Sequence, residues 1–167
     1  MRRLYSSLSG ASSYRLTLPP DVPCGERVFF YYVIRINPEV IGADMLNMAI
    51  ALASEGTYNL NYLSTTRWMI PQHLEPLFLN KTGYGGTKCP FECPWYEGKV
   101  EYYEGLCPVS EKACEEVFWL ASVHPLLEKQ DLDDIANAVR KVVLNFIEKK
   151  EKGIPIDYAT DEIRAKL

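Results

Sequence analysis

The stretch from Cys107 to Val143 reads "CPVSEKACEEVFWLASVHPLLEKQDLDDIANAVRKVV" and contains the signals that decide the fold. Pro108 stands where a helix tolerates proline, at its first position, so "PVSEKACEEV" is read as a short helix. "VFWLAS" at Val117–Ser122 is apolar and aromatic, the composition of a strand. Beyond it, Leu132, Ile135, Ala136, Val139, Val142, Val143, Phe146 and Ile147 recur every three or four residues, which predicts a helix over Asp131–Lys150. Asp131, Asp133 and Asp134 lie at its positive end, and Lys149 and Lys150 at its negative end, as the helix dipole favours. At 1.5 Å per residue this helix is roughly 30 Å long. "GIP" at Gly153–Pro155 stops it, leaving a polar tail with a last helical turn near Asp161–Lys166.

Upstream, "VFFYYVIRI" at Val28–Ile36 does not alternate between apolar and polar, so it is expected to be a strand buried on both faces. Asp44 can cap the helix that follows, in which Met45, Met48, Ala49, Leu52 and Ala53 share a face. Gly56 suits the left-handed position just beyond its end. "TYNLNYL" at Thr57–Leu63 alternates like a second strand. From Ser64 to Leu106 the regular signals give way to prolines and glycines, which predicts a long, structured loop. Loops of that length inside a compact domain usually carry function or meet a partner. The order strand, helix, strand, loop, helix, strand, helix gives an α+β fold, with helices covering one face of a small, mostly antiparallel sheet.

The 167 residues suffice for one ordinary domain with a real core. The chain is 47% hydrophobic and 24% charged, a globular balance, and its net charge is −4. No basic face stands out, which argues against a nucleic-acid partner. No apolar run is long enough for a bilayer, so no membrane partner is expected. "MRRLYSSLSGASS" lacks the apolar centre of a secretion signal, which points to a cytoplasmic chain.

Cys89, Cys93, Cys107 and Cys114 crowd into a short span and raise the question of a metal clamp or a disulfide staple. Five cysteines in a cytoplasmic chain do not make a closed disulfide framework. Zinc sites favour ligand pairs two to four residues apart, and the spacing from Cys107 to Cys114 makes a poor second pair. The bacterial iron–sulfur run needs cysteines closer still. The cysteines are read as small packing and turn residues beside prolines, with no metal site.

Several motifs together resemble the C-terminal part of the DegT/DnrJ/StrS family of PLP-dependent sugar and cyclitol aminotransferases. Cys107, Pro108, Ser110 and Glu111 match its "CP-x-(A/S)-E" helix start. His124, Pro125 and Leu126 match its "HP-L", and Asp131, Asp134 and Ile135 match the acidic opening of its last helix. Phe91, Cys93, Pro94 and Tyr96 match a preceding "PF-x-CP-x-Y". Pro71, His73, Pro76 and Phe78 match "P-x-H-x-x-P-x-(F/Y)". The likeness runs from about Arg2 to Val143. It implies the small-domain fold of fold-type I PLP-dependent transferases. Residues 1–17 would be the end of an interdomain helix or linker, 18–150 the small domain, and 151–167 a tail.

The family's Schiff-base lysine motif and its phosphate-binding turn are absent, and "GYGG" at Gly83–Gly86 is too short to replace the latter. Covalent PLP chemistry needs that amine, so the isolated chain is expected to carry no catalytic residue and to bind PLP only when a separate large domain completes it. The resemblance then implies amino transfer to a keto-sugar or keto-cyclitol, with glutamine or glutamate as donor.

The substrate-binding candidates are His73, between prolines at the implied cleft edge, and Trp68 and Tyr96, which could face a sugar ring. Each also has a plainer role, as a loop histidine or as core and interface aromatics. Arg67 is read as an exposed arginine, His124 as a residue that fixes the entry to the last helix, and Glu111 as a hydrogen-bond acceptor at a helix start. Two rival functions stand beside the aminotransferase domain: a stand-alone sugar- or protein-binding module, and a cysteine-ligated metal module. The expected partners are a separately encoded PLP domain and a second copy of this chain in a homodimer.

Overall fold

The computed structural model describes residues 16–20, 22–25, 28–29, 31–57, 70–120, 126–158 and 160. The chain falls into two compact units, Met1–Thr65 with Glu115–Leu167, and Thr66–Cys114. Both contribute to the stretch 18–150 that the sequence suggests as one domain.

The first unit is an α+β layer. Its strands are β1 (Leu16–Thr17), β2 (Tyr32–Ile36) and, late in the chain, β3 (Val117–Leu120). They lie in the order β1-β2-β3 and pair antiparallel, with Leu16 opposite Ile36 and Ile34 opposite Phe118. β2 corrects one expectation: it is buried on a single face. Tyr32, Ile34 and Ile36 are inside, whereas Val33 and Arg35 point outward, the period-2 pattern of a half-covered sheet. Val28 is exposed and precedes the strand, so the apolar run was longer than the element it encodes. Outside, the Arg35 guanidinium donates through Nε to Glu116 Oε2 at 2.6 Å, just before β3 begins.

Helix α1 (Pro38–Ile41) starts where Asn37 accepts the N–H groups of Glu39 and Val40. Helix α2 (Met45–Ser54) starts at Asp44, whose carboxylate takes the N–H of Asn47 at 2.8 Å. It ends at Gly56, whose φ of +77° is the left-handed conformation that a Cβ would resist. The expected strand beyond it lies outside the described residues, apart from Thr57. So do Arg67, Trp68, His124, Pro125 and the expected last turn near Asp161–Lys166.

Two further α-helices stand between α2 and the last one among the described residues. Helix α3 (Pro76–Leu79) belongs to the second unit, and α4 (Pro108–Glu116) crosses from the second unit into the first. Helix α5 (Lys129–Glu151) begins two residues before the acidic cluster that marked its expected start. The signal that sequence periodicity missed is a capping box: Glu128 accepts from the backbone of Asp131, and the Glu128 N–H returns to Asp131 Oδ2 at 2.8 Å. Ile135, Val139, Val142, Val143 and Phe146 of α5 pack with Met48 and Leu52 of α2, Ile41 of α1, and Ile34 and Phe118 of the sheet in one apolar cluster. No helix among the described residues is long and apolar enough to cross a membrane.

The chain after α5, expected as a tail, is structural as far as Tyr158. The buried Asn47 donates through Nδ2 to Asp44 and accepts the Tyr158 N–H at 2.7 Å. The Tyr158 ring stacks on Phe146 at 5.7 Å, and Lys149 Nζ donates to its hydroxyl. A helix start and a returning strap thus share one buried amide.

Candidate functional site

The second unit, Thr66–Cys114, contains His73 and Tyr96. None of its described residues is fully buried, so polar ties and turns hold it rather than an apolar core. Pro71 and Pro76 bracket a single turn, Gln72–Leu74, closed by the Leu74 N–H to Pro71 O at 2.8 Å. Proline fixes φ on both sides of that turn, so the backbone at His73 has little freedom. The ring is only 10% exposed, and its Nε2 lies 2.8 Å from Glu111 Oε1.

Glu111 belongs to the first turn of α4, and its carboxylate collects the loose donors there. It accepts the Cys107 N–H at 3.0 Å and the Gly105 N–H at 2.8 Å. Burial pushes this carboxyl up, but the N–H groups of Cys107 and Gly105 and the imidazole of His73 outweigh it and hold the group below the usual glutamate range. An ionised carboxylate only accepts, so the proton between the residues belongs to His73 Nε2. That fixes the tautomer of the neutral ring and leaves Nδ1 as an acceptor with no partner among the described residues. A carboxylate-oriented imidazole with one open nitrogen can bind a hydroxyl or amine, or take a proton from it.

The surrounding fold is a set of close approaches. The rings of Phe78, Phe91 and Tyr102 meet edge-on at 5.4 to 6.1 Å. Lys81 reaches Glu92 at 3.1 Å and Glu101 at 3.3 Å, and the hydrogen bond to Glu92 leads the causes that raise its pKa. Gly83 approaches the next turn so closely that a Cβ would sit 1.9 Å from Cys89 O.

Tyr96 donates its N–H to Cys93 O and lies against Gly98, and no hydrogen bond among the described residues joins it to His73. The two candidates therefore share a unit without forming one constellation. Trp95 beside it is 90% exposed. Glu111, read from sequence as a helix-start acceptor, has that role and also orients His73, which lies 38 residues away. No spacing rule announces such a pairing.

Sequence reasoning also missed a groove in the first unit. It measures about 270 Å³ and is lined by Ala51, Ser54, Glu55, Lys141, Phe146 and Tyr158 among others. At its rim Lys141 donates to both carboxylate oxygens of Glu55 at 2.8 Å. Among the described residues no three His, Cys, Asp or Glu side chains gather as a metal site. Comparison with models of known protein families, with curated proteins and with solved structures finds no match for this chain.

Proposed function

We propose that this chain is the small C-terminal domain of a DegT/DnrJ/StrS-type aminotransferase, acting on a keto-sugar or keto-cyclitol when a PLP domain completes it. One observation carries the reading. The two motif segments "IPQHLEPLF" and "CPVSE", far apart in sequence, meet in the second unit through His73 and Glu111. A shared motif pair that folds into one oriented imidazole is what a substrate-contacting edge requires. In this reading His73 Nδ1 contacts a sugar hydroxyl or amine.

The described residues do not fit PLP itself. Schiff-base formation needs an amine kept unpaired and desolvated. Lys81 is held between two glutamates, Lys149 is taken by Tyr158, and every other described lysine is exposed. No chemical step is therefore assigned to PLP on this chain. The exposed Trp95 and Tyr84 favour a second reading, a stand-alone module that binds sugar through stacked aromatic rings.

Borohydride reduction with PLP tests the first proposal. The chain alone should carry no stoichiometric adduct, while together with a PLP domain of that family it should transfer an amino group to a keto-sugar. A stoichiometric reduced adduct on a lysine of this chain would overturn the division of labour. Sugar binding by the chain alone, lost on Trp95→Ala and untouched by His73→Ala, would favour the second reading instead.

A further inference from the structure

The cysteines of the second unit have a use that neither packing nor substrate contact absorbs. The Glu92 N–H donates to Lys88 O at 2.9 Å and Lys88 Nζ pairs with Glu92 at 3.2 Å, closing the chain from Lys88 to Glu92 into one turn. Cys89 lies in that turn and Cys93 directly follows it, four positions on, both half-buried thiols. Cys93 Sγ donates weakly to Pro90 O at 3.6 Å, the carbonyl of the residue next to Cys89. The Cys93 thiol is the first of the causes that raise the Cys89 pKa. Cys24 and Cys107 are exposed thiols placed elsewhere in the chain.

The turn also occupies a strategic place. Cys89 O accepts the Tyr84 N–H at 3.1 Å and is the oxygen that Gly83 approaches, while Glu92 anchors Lys81. A unit without a fully buried residue is the kind of scaffold that gains most from a covalent staple.

We propose that Cys89 and Cys93 form a reversible dithiol–disulfide site that reacts with small disulfides and locks the Thr66–Cys114 unit when oxidised. One thiol loses its proton and its thiolate attacks a disulfide RSSR, forming a mixed disulfide and expelling RS⁻. The neighbouring thiol, deprotonated in turn, attacks the protein sulfur of that mixed disulfide and expels the second RS⁻. The protein loses two electrons and two protons, and RSSR becomes two RSH. Two partly exposed thiols at one turn let the second displace the small thiol from a mixed adduct on the first.

The test treats the full chain with oxidised glutathione, blocks remaining thiols with iodoacetamide and digests with trypsin without reductant. Cleavage after Lys88 and Lys99 releases one peptide, Cys89–Lys99, that holds both sulfurs. It should be lighter by two hydrogens and unalkylated, with Cys24 and Cys107 alkylated or glutathionylated. Cys89→Ser and Cys93→Ser should each leave a stable glutathione adduct on the surviving thiol. Oxidation should slow proteolytic cutting inside Thr66–Cys114 by roughly tenfold, and the double serine variant should show no such change. Glutathione retained on both cysteines of the wild-type chain, or bridging that prefers Cys24 or Cys107, would overturn the proposal. An internal bridge that leaves proteolysis unchanged would overturn the locking role.

Discussion

Replacing Val139 with aspartate tests the core most sharply, because the residue has no exposed surface and lies in the apolar cluster of α5 with α2 and the sheet. Losing the buried valine removes about 2 kcal/mol of transfer free energy. The carboxylate must then be buried charged or protonated. Taking a proton at pH 7 from a usual pKa of about 3.9 costs about 4 kcal/mol, and this caps the charge penalty because protonation is always open. The sum, about 6 kcal/mol, matches the whole stability of many domains, which is about 5–15 kcal/mol.

The cost has a signature. The folded-state pKa of the new aspartate is raised, so the folded form holds a proton that the unfolded form gives up above about pH 4. Stability relative to wild type should fall by about 1.4 kcal/mol for each pH unit between those two values. Val139→Ala should instead cost about 2–3 kcal/mol, two methyl groups plus a small cavity, with no such slope. Urea unfolding followed by far-ultraviolet circular dichroism at several pH values reads both. A Val139→Asp chain as stable as wild type, or a penalty flat in pH, would refute the assignment of this face of α5 to the core.

The Glu111 carboxylate is held below its usual pKa of 4.5, so its contribution to the second unit is fully present above that value and is lost as pH falls through the lower folded value. Proteolysis within Thr66–Cys114 should therefore accelerate in acid, and Glu111→Gln should remove that acid step; an unchanged pH profile in the variant would contradict it. Gly83→Ala forces a Cβ to within 1.9 Å of Cys89 O, so either segment must move, and amide exchange near Tyr84 should quicken at least tenfold. Equal exchange in both proteins would count against that close approach. The exposed aromatic side chains around Trp95 and Tyr84 should drive self-association into a dimer. Light scattering that gives 19.1 kDa at every concentration, unchanged by Trp95→Ser, would overturn the expected homodimer.

What could be read from the sequence is what local forces decide. The buried face of α5 follows from apolar residues at helical spacing, and Asp44 and Gly56 bound α2 because capping and left-handed backbone act within a turn. β2 was misread as buried on both faces because Val33 is apolar on the outer face; Arg35, at the next outward position, was the sign of alternation. Contacts across the chain had no such sign. Arg35 meets Glu116 at a separation of 81 residues, and Lys141 meets Glu55 at 86. Nothing in the composition of either neighbourhood names the partner.

The His73–Glu111 pair lies between these cases. Each partner shows a local sign of rigidity: prolines bracket the histidine, and the glutamate stands in the first turn of a proline-started helix. Two side chains whose backbones are already ordered give up little conformational entropy when they meet, so a contact between them stabilises more than one between freely moving loops. The same order keeps Nδ1 aimed in one direction, and a binding or proton-accepting atom needs that before any substrate arrives. The prolines that bracket His73 were thus legible in the sequence, while the carboxylate that orients it became visible only once the chain had folded.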